Sequence, residues 1–237
     1  LIREAKSEMQ GKISEESLMI AAKRTFSYFS PVEKYNEFSM LPYYYFLCDL
    51  DKNYSKNSKE IASNLKEVAN IVLNKDNLIV SITADENIYK TFKENFKIFS
   101  NQLKDSNEQK SSYTFAYDEK NEGLMIPSKV QYVVKGYNFK RLGYDYSGSM
   151  KVLLNILDSD YFWQEIRVKG GAYGSFSEIS ANGNMAFMSF DDPNLKETLN
   201  VFDNTVEYLK KFKADEREMT NFIIGTIGSM DAPKGPW

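Results

Sequence analysis

The sequence predicts an α+β fold in which helices pack on a largely antiparallel β-sheet. Helix-like and strand-like segments follow each other in mixed order, which fits a layered sandwich better than a doubly wound parallel fold. An Asn-Gly pair at positions 182–183 separates two strand-like segments and suits a tight antiparallel connection. With 237 residues and a hydrophobic fraction of 42%, the chain can fill one large core or two ordinary ones.

The first part of the chain is predicted to be helical. Apolar residues at helical spacing indicate a helix over residues 14–28. Pro31 should end it, because proline disfavours helical geometry in the residue before it. Two more helices are predicted over residues 36–50, which are rich in aromatic side chains, and over residues 58–73. The apolar stripes of these helices favour a packed core over a binding site.

A strand and a capped helix are predicted next. Alternating apolar residues between polar flanks indicate a strand over residues 77–85. Asp85 should then cap a helix that reaches Phe99. Residues 101–121 are dense in Lys, Ser, Asn and Asp, as linkers are, so a domain boundary is expected near residue 120.

The second half of the chain is predicted to alternate strands with helices. Three segments rich in strand-forming residues and three with helical periodicity support this prediction. The strands are expected over 128–135, 172–179 and 185–190, and the helices over 147–166, from the Asp191–Asn194 segment to Phe212, and over 215–230.

Charge, length of apolar runs and cysteine usage exclude several functions. The 30 Lys and Arg are interspersed with 33 Asp and Glu, so nucleic acid is not an expected partner. No apolar run approaches the roughly 20 residues that span a bilayer, and the first residues lack a signal-peptide pattern, so we expect a soluble chain. Cys48 lies in an apolar run, which favours a buried free thiol over a nucleophile and fits a reducing compartment.

The sequence contains no histidine, the commonest protein ligand for catalytic zinc and the commonest general base. Catalytic triads and metal centres that need imidazole are therefore excluded within this chain. No acidic loop with calcium-binding spacing replaces them. We expect no metal site in this sequence.

The segment Phe162–Phe176 is the least ordinary part of the sequence. Gly170 and Gly171 lie between a predicted helix that ends near Arg167 and a predicted strand entered at Tyr173. A tight Gly-Gly turn can direct a permanently charged guanidinium and a phenolic hydroxyl toward the same space, where they would suit an oxygen. Two structural alternatives remain. An arginine near a helix C-terminus favours the helix dipole, and a strand tyrosine is good core material.

A phosphate-binding loop is a weaker interpretation of the same glycines. Residues 170–174 follow a predicted helix, whereas phosphate loops follow a strand and open a helix. Before any resemblance is considered, composition favours the structural interpretation of Arg167 and Tyr173.

Several motifs in the same order resemble the C-terminal half of the insulinase (pitrilysin) family of zinc metallopeptidases, and within it the presequence protease branch. The resemblance covers nearly the whole chain. Its motifs are Ser27–Pro31, Asp49–Leu50, Pro127–Val133, Arg167–Gly174, Phe190–Leu195 and Ile223–Gly228.

The resemblance implies a large single chain whose two halves, each of two similar α+β domains, close around unfolded peptides. Zinc is bound in the first half by an inverted His-x-x-Glu-His motif, which this sequence lacks. Residues 1–118 correspond to the later part of the third domain, residues 119–122 end a linker over about 101–122, and residues 123–237 correspond to the first part of the fourth domain. Both domains are expected to be incomplete, with both chain ends representing cuts.

The resemblance also implies a site. Arg167 and Tyr173 match the arginine and tyrosine that reach across the closed chamber to the substrate near zinc, and Gly170, Gly171 and Ala172 are expected to support substrate binding. The implied function is a fragment of a zinc metalloendopeptidase that degrades short unstructured peptides, inert without its partner, the missing N-terminal half.

The alternative function is a non-catalytic peptide-binding or scaffold subunit of the same family. For either function the expected location is intracellular, in the bacterial cytoplasm, with an organelle matrix as the alternative.

Overall fold

The computed structural model describes residues 1–105, 112–117 and 120–231, and it divides into two compact units. The first unit contains Leu1–Leu47 and the described residues from Thr114 onward, and the second contains Cys48–Tyr113. Part of the predicted linker, residues 106–111 and 118–119, lies outside the described residues.

Three helices open the chain: α1 (Ile2–Glu15), α2 (Ser17–Ser27) and α3 (Pro31–Glu37). The helix predicted over 14–28 is confirmed as α2. Pro31 follows the end of α2 as predicted, and it also begins α3, because the first helical position needs no backbone N–H donor. Ser30 caps α3 by accepting a hydrogen bond from the N–H of Glu33.

The next helix, α4 (Leu41–Val72), is continuous where the sequence predicted two helices. The prediction of a break was wrong because residues 51–57 contain neither proline nor glycine. Their side chains are polar or amphipathic and lie mostly on the exposed side, so nothing in this stretch ends the helix. Cys48, on α4, is a free thiol but is half-buried rather than fully buried.

In the second unit, the predicted capped helix is confirmed as α5 (Glu86–Ser100), with the Asp85 side chain accepting from the N–H groups of Asn87 and Ile88 at 2.9 and 3.0 Å. The predicted strand over 77–85 is wrong: this segment forms no β-ladder with any described residue. Ile79 is 93% exposed there. Alternating side chains favour extended backbone, but a strand also requires a hydrogen-bonded neighbour.

The sheet of the first unit has three antiparallel strands, β1 (Gln131–Asn138), β2 (Gly174–Ile179) and β3 (Asn184–Asp192), in the order β1-β3-β2. All three predicted strands are confirmed with shifted ends, and β2 and β3 form the predicted hairpin. The α+β prediction is therefore confirmed.

Both faces of the sheet are covered, and the side chains of β3 show why. Ala186 and Met188 pack on one face against Phe26 and Phe29, which belong to α2 and the residues that follow it. Phe187 packs on the other face against Phe162, at a ring-centroid distance of 5.0 Å. Successive strand residues point to opposite faces, so β3 supplies both cores.

Residues 17–29 thus pack on a sheet built from residues 131–192. The assignment of 1–118 and 123–237 to two family domains concerns sequence relationship rather than compactness, and it stays a prediction.

The helix predicted over 147–166 consists of α6 (Ser149–Ile156) and a π-helix (Leu157–Lys169). The π-helix has wider turns, with hydrogen bonds from residue i to i+5. Leu157, Phe162 and Ile166, its fully buried side chains, are five and four residues apart, a spacing that places them on one face of this wider helix.

Three helices complete the described chain: α7 (Lys196–Asp203), α8 (Thr205–Lys211) and α9 (Glu216–Met230). The helix predicted to reach Phe212 is interrupted at Asn204, and α9 confirms the last predicted helix. Asp215 and Glu218 cap α9 reciprocally. Within the ranges described, no helix has both the length and the apolar character that crossing a membrane requires.

Candidate functional site

The turn between the π-helix and β2 positions the candidate residues. The N–H groups of Gly171 and Ala172 donate to the carbonyls of Arg167 and Ile166, at 3.0 and 3.1 Å, and so close the end of the π-helix. Gly171 has a φ of +80°, which glycine adopts without strain. A Cβ atom on Gly170 would lie 2.5 Å from the Ile166 carbonyl oxygen. The backbone of this turn therefore requires both glycines.

The turn brings Arg167 and Tyr173 together. Nη1 of Arg167 donates to the backbone carbonyl of Tyr173 at 2.6 Å, and the guanidinium carbon lies 5.5 Å from the centre of the Tyr173 ring. The same carbon lies 4.6 Å from the ring centre of Trp163, one helical turn earlier. Two aromatic rings thus contact the cation and restrict its position.

The Tyr173 ring is held while its hydroxyl stays open. The ring meets Phe190 edge-on, and the side chain is nevertheless 64% exposed. Its hydroxyl hydrogen-bonds to no other residue in the described part of the chain. It can therefore donate to a ligand without first breaking a bond within the described protein.

The segment Asp191–Asn194, which contains the last two residues of β3 and is called the second loop below, holds both ends of the turn. The N–H of Tyr173 donates to the carbonyl of Asp191 at 3.3 Å, and the side-chain amide of Asn194 donates to the carbonyl of Gly170 at 2.6 Å. Asp191 has a φ of +46°, an uncommon value outside glycine, and its carboxylate accepts from the hydroxyl of Tyr132 at 3.1 Å.

The second loop is anchored by a buried carboxylate. Asp192 is 0% exposed and accepts from Ser189 Oγ at 2.6 Å, Thr198 Oγ1 at 2.7 Å and the backbone N–H of Asn194 at 2.8 Å. A carboxylate is costly to bury unless its oxygens are hydrogen-bonded. These three donors compensate that cost and restrict the loop.

Sequence reasoning identified Arg167, Tyr173 and the turn, but it assigned no role to Trp163, Asp191 or Asn194. The Phe190–Leu195 segment entered the sequence analysis only as a resemblance and, over Asp191–Asn194, as the start of a predicted helix. One signal was available for Trp163, because it precedes Arg167 by four residues on a predicted helix, and such residues are neighbours on the helix surface.

The sequence did not predict a second, separate polar cluster. Arg24 on α2 donates to Glu37 at 3.0 Å and to Glu122 at 2.8 Å, and the hydroxyl of Tyr28 hydrogen-bonds to Glu122. The Arg24 hydrogen bond lowers the pKa of Glu122 to about 2, and burial raises the pKa of Tyr28 to about 12. The cluster ties α2 and α3 to the segment that precedes β1.

The described residues do not fit a zinc centre. No group of three or more Cys, Asp or Glu side chains within them is arranged to hold a metal ion, and the sequence has no histidine.

The fold and the turn define an α+β domain that presents an arginine and a tyrosine at its surface. Residues 121–237 match the family described as the PreP C-terminal domain. The chain belongs to the presequence protease family, and residues 121–237 represent the C-terminal domain of that family.

Individual relatives agree with this assignment. The chain is 42% identical to Protein HypA of Clostridium perfringens, with 98% of the chain and 24% of that protein covered. It is 33% identical to Presequence protease 1, chloroplastic/mitochondrial, of Arabidopsis thaliana, with 83% and 18% covered. It is 28% identical to Presequence protease, mitochondrial, of Drosophila melanogaster, with 79% and 19% covered. The chain thus spans about a quarter or less of the length of these relatives.

Proposed function

We propose that this chain is part of the C-terminal half of a zinc metalloendopeptidase that degrades short unstructured peptides in a closed chamber. In this proposal Arg167 and Tyr173 contact the peptide. The observation that carries it is the exposed Tyr173 hydroxyl, held beside the Arg167 guanidinium by one Gly-Gly turn. Relatives named presequence protease support a peptidase parent.

Tyr173 would stabilise the developing oxyanion. Hydrolysis of a peptide bond places negative charge on the carbonyl oxygen, and a donor already positioned there binds the transition state more strongly than the ground state. The Tyr173 ring is held by Phe190 at a centroid distance of 5.6 Å, so its hydroxyl is directed before substrate arrives. It would donate to the reacting carbonyl or to an adjacent one.

Arg167 would hold neighbouring backbone oxygens of the peptide. A guanidinium has five N–H donors and keeps its charge at any physiological pH. One donor of Arg167 is used on the carbonyl of Tyr173, which leaves others for a ligand. That bond joins the Arg167 side chain to the backbone of Tyr173, so a shift of the backbone at Tyr173 would also shift the guanidinium.

The three turn residues would act mainly through the backbone. Gly170 and Gly171 allow the turn, and the side chain of Ala172 is buried, at 4% exposure. Their direct contact with substrate stays a prediction.

The proposal assigns zinc to the missing N-terminal half of the parent, which is also the partner of this chain. Zinc would supply the activated water, and none of the described residues here would bind it. Residues 1–118 and 123–237 would be parts of the third and fourth family domains. The parent would act inside the cell, in the bacterial cytoplasm or in an organelle matrix, since the relatives include both a bacterial protein and mitochondrial proteins.

The test uses the intact parent protein and one fluorogenic peptide. Cleavage that falls strongly in Tyr173→Phe, with the melting temperature kept, is the expected result. Wild-type turnover in that variant would overturn the role of the hydroxyl. A parent that binds the peptide without cleaving it would favour the scaffold alternative.

A further inference from the structure

We propose that Asn194 is a positioning residue that sets the location of Tyr173 and Arg167. This inference rests on the proposed function and adds a residue to it. Asn194 belongs to the Asp191–Asn194 loop, which has no role in the chemistry described above.

Asn194 contacts the turn where the π-helix ends. Its side-chain amide donates to the carbonyl of Gly170 at 2.6 Å, where the π-helix ends and the turn begins. This carbonyl would otherwise be one of the unpaired groups at a helix end. Asn194 is half-buried, so water competes only partly for the bond.

Asn194 is itself held in place by the hydrogen bonds of Asp192. Its backbone N–H donates to the buried carboxylate of Asp192 at 2.8 Å, and Asp192 is bonded in turn to Ser189 on β3 and Thr198 on α7. The position of Asn194 is therefore set by the strand and helix that flank the loop.

The Asp191–Asn194 loop also contacts the turn at the end of the turn that carries Tyr173. The carbonyl of Asp191 accepts from the N–H of Tyr173 at 3.3 Å. The segment from Gly170 to Tyr173 is thus bonded to the same loop at both ends. Without the Asn194 contact, the hydrogen bonds between this loop and the turn, among the described residues, are reduced to the longer one at Tyr173.

A small displacement of the turn should affect catalysis strongly. Misplacing a reacting group by about 1 Å can cost about 100-fold in rate. We therefore expect Asn194→Ala in the intact parent to lower kcat about 10- to 100-fold, with a smaller change in KM, although Asn194 touches no substrate.

The matched control is Asn155→Ala. Asn155 on α6 also uses its side-chain amide to reach a distant backbone carbonyl, that of Phe222, at 2.9 Å, and it is also partly buried. Among the described residues, the hydrogen bonds of its side chain go to Phe222 and Thr226 on α9 and not to the turn. This control should lower the melting temperature by a similar amount and leave kcat and KM unchanged.

Combination with Tyr173→Phe separates positioning from general stability. If Asn194 acts by placing the Tyr173 hydroxyl, Asn194→Ala should lower kcat by less than about threefold in a protein that already carries Tyr173→Phe. Asn194→Asp provides a second variant of the same shape. It replaces the donor with an acceptor facing the Gly170 carbonyl, so it should lower kcat at least as much as Asn194→Ala if the alanine variant folds poorly.

The outcomes discriminate between the two proposals. Reduced kcat in Asn194→Ala or Asn194→Asp, with losses that do not multiply with that of Tyr173→Phe, supports the positioning role. Wild-type kcat in both Asn194 variants, or losses that multiply fully, overturns it while leaving the proposed function intact. Wild-type activity in Tyr173→Phe alone overturns the catalytic role of the Tyr173 hydroxyl and the positioning role together.

Discussion

The ring of Tyr173 meets the ring of Phe190 edge-on, with centroids 5.6 Å apart and an interplanar angle of 61°. Edge-to-face pairs of this kind contribute about 0.5–1.5 kcal/mol beyond the area that they bury. The contact involves only the ring of Tyr173. Replacement by phenylalanine therefore keeps the contact and removes only the hydroxyl.

We expect Tyr173→Phe in the intact parent to reduce kcat with little change in melting temperature. If the hydroxyl stabilises the oxyanion, its loss should cost about 2.7–4 kcal/mol in the activation barrier, as for other oxyanion-hole donors. Steady-state kinetics on one fluorogenic peptide measure the effect, with zinc content and melting temperature followed in parallel. Full activity would remove the catalytic role.

Arg167→Ala in the same parent should lower kcat and also raise KM. A charged hydrogen bond to backbone oxygens contributes in the ground state as well as in the transition state. Because both side chains are proposed to contact the same peptide, the double variant with Tyr173→Phe should lose less than the sum of the single losses.

The control for Arg167→Ala is Lys169→Ala, which removes a cation two residues away. Lys169 pairs with Glu165 on the surface of the π-helix at 2.7 Å, and such exposed pairs contribute about 0–1 kcal/mol. Its kinetics should match the wild type. Equal losses in the two variants would instead indicate a general effect of positive charge.

Local patterns predicted much of the fold but less of the site. Asp85 was predicted to cap one helix and residue 215 to begin another, because helix-start signals depend on residues within one turn. The strand over 77–85 was not found in the structure, because pairing depends on a distant neighbour that the pattern does not contain.

The candidate site also combines contacts between residues close in sequence with contacts between distant ones. Arg167 and Tyr173 lie six residues apart around a turn, so local sequence placed them together. The contact of Asn194 with Gly170 spans 24 residues, and that of Arg24 with Glu122 spans 98. Contacts of this length depend on how the elements pack, which no local pattern shows. The switch from α6 to the π-helix also depends on packing, since Leu157, Phe162 and Ile166 all bury against one core.

The 237-residue chain by itself should neither cleave unstructured peptides nor bind zinc tightly. Tight structural or catalytic sites use several histidine, cysteine or carboxylate ligands, and this sequence offers no histidine and one cysteine. Isothermal titration with zinc measures the affinity directly. Stoichiometric binding at nanomolar affinity would overturn the assignment of zinc to the missing half.

Arg24→Ala should destabilise the chain strongly. Glu37 is 1% exposed, and the remaining cation near it, Lys34, lies 4.0 Å from its carboxylate. Removing one partner of a buried ion pair leaves a buried charge uncompensated and costs about 3–5 kcal/mol. Urea unfolding measures the loss. Adding Glu37→Gln should recover part of the lost free energy of unfolding, because the buried charge is then removed. A double variant no more stable than Arg24→Ala would contradict this explanation.

Glu122 should contribute a pH-dependent part of the stability. The hydrogen bond from Arg24 lowers the pKa of Glu122 in the folded chain from 4.5 to about 2. A carboxyl group with a lowered pKa stabilises the folded state above its unfolded pKa, and this contribution is lost as pH falls through the folded pKa. The free energy of unfolding of Glu122→Gln should therefore be lower than that of the wild type at pH 7, and the difference should shrink between pH 4.5 and pH 2. Urea unfolding at several pH values measures both.

The control variant is Glu207→Gln, which removes a carboxylate from a surface pair with Lys210 and should change the free energy of unfolding by no more than about 0.5 kcal/mol. A difference between Glu122→Gln and the wild type that stays constant on acidification would show that Arg24 does not favour the charged form of Glu122.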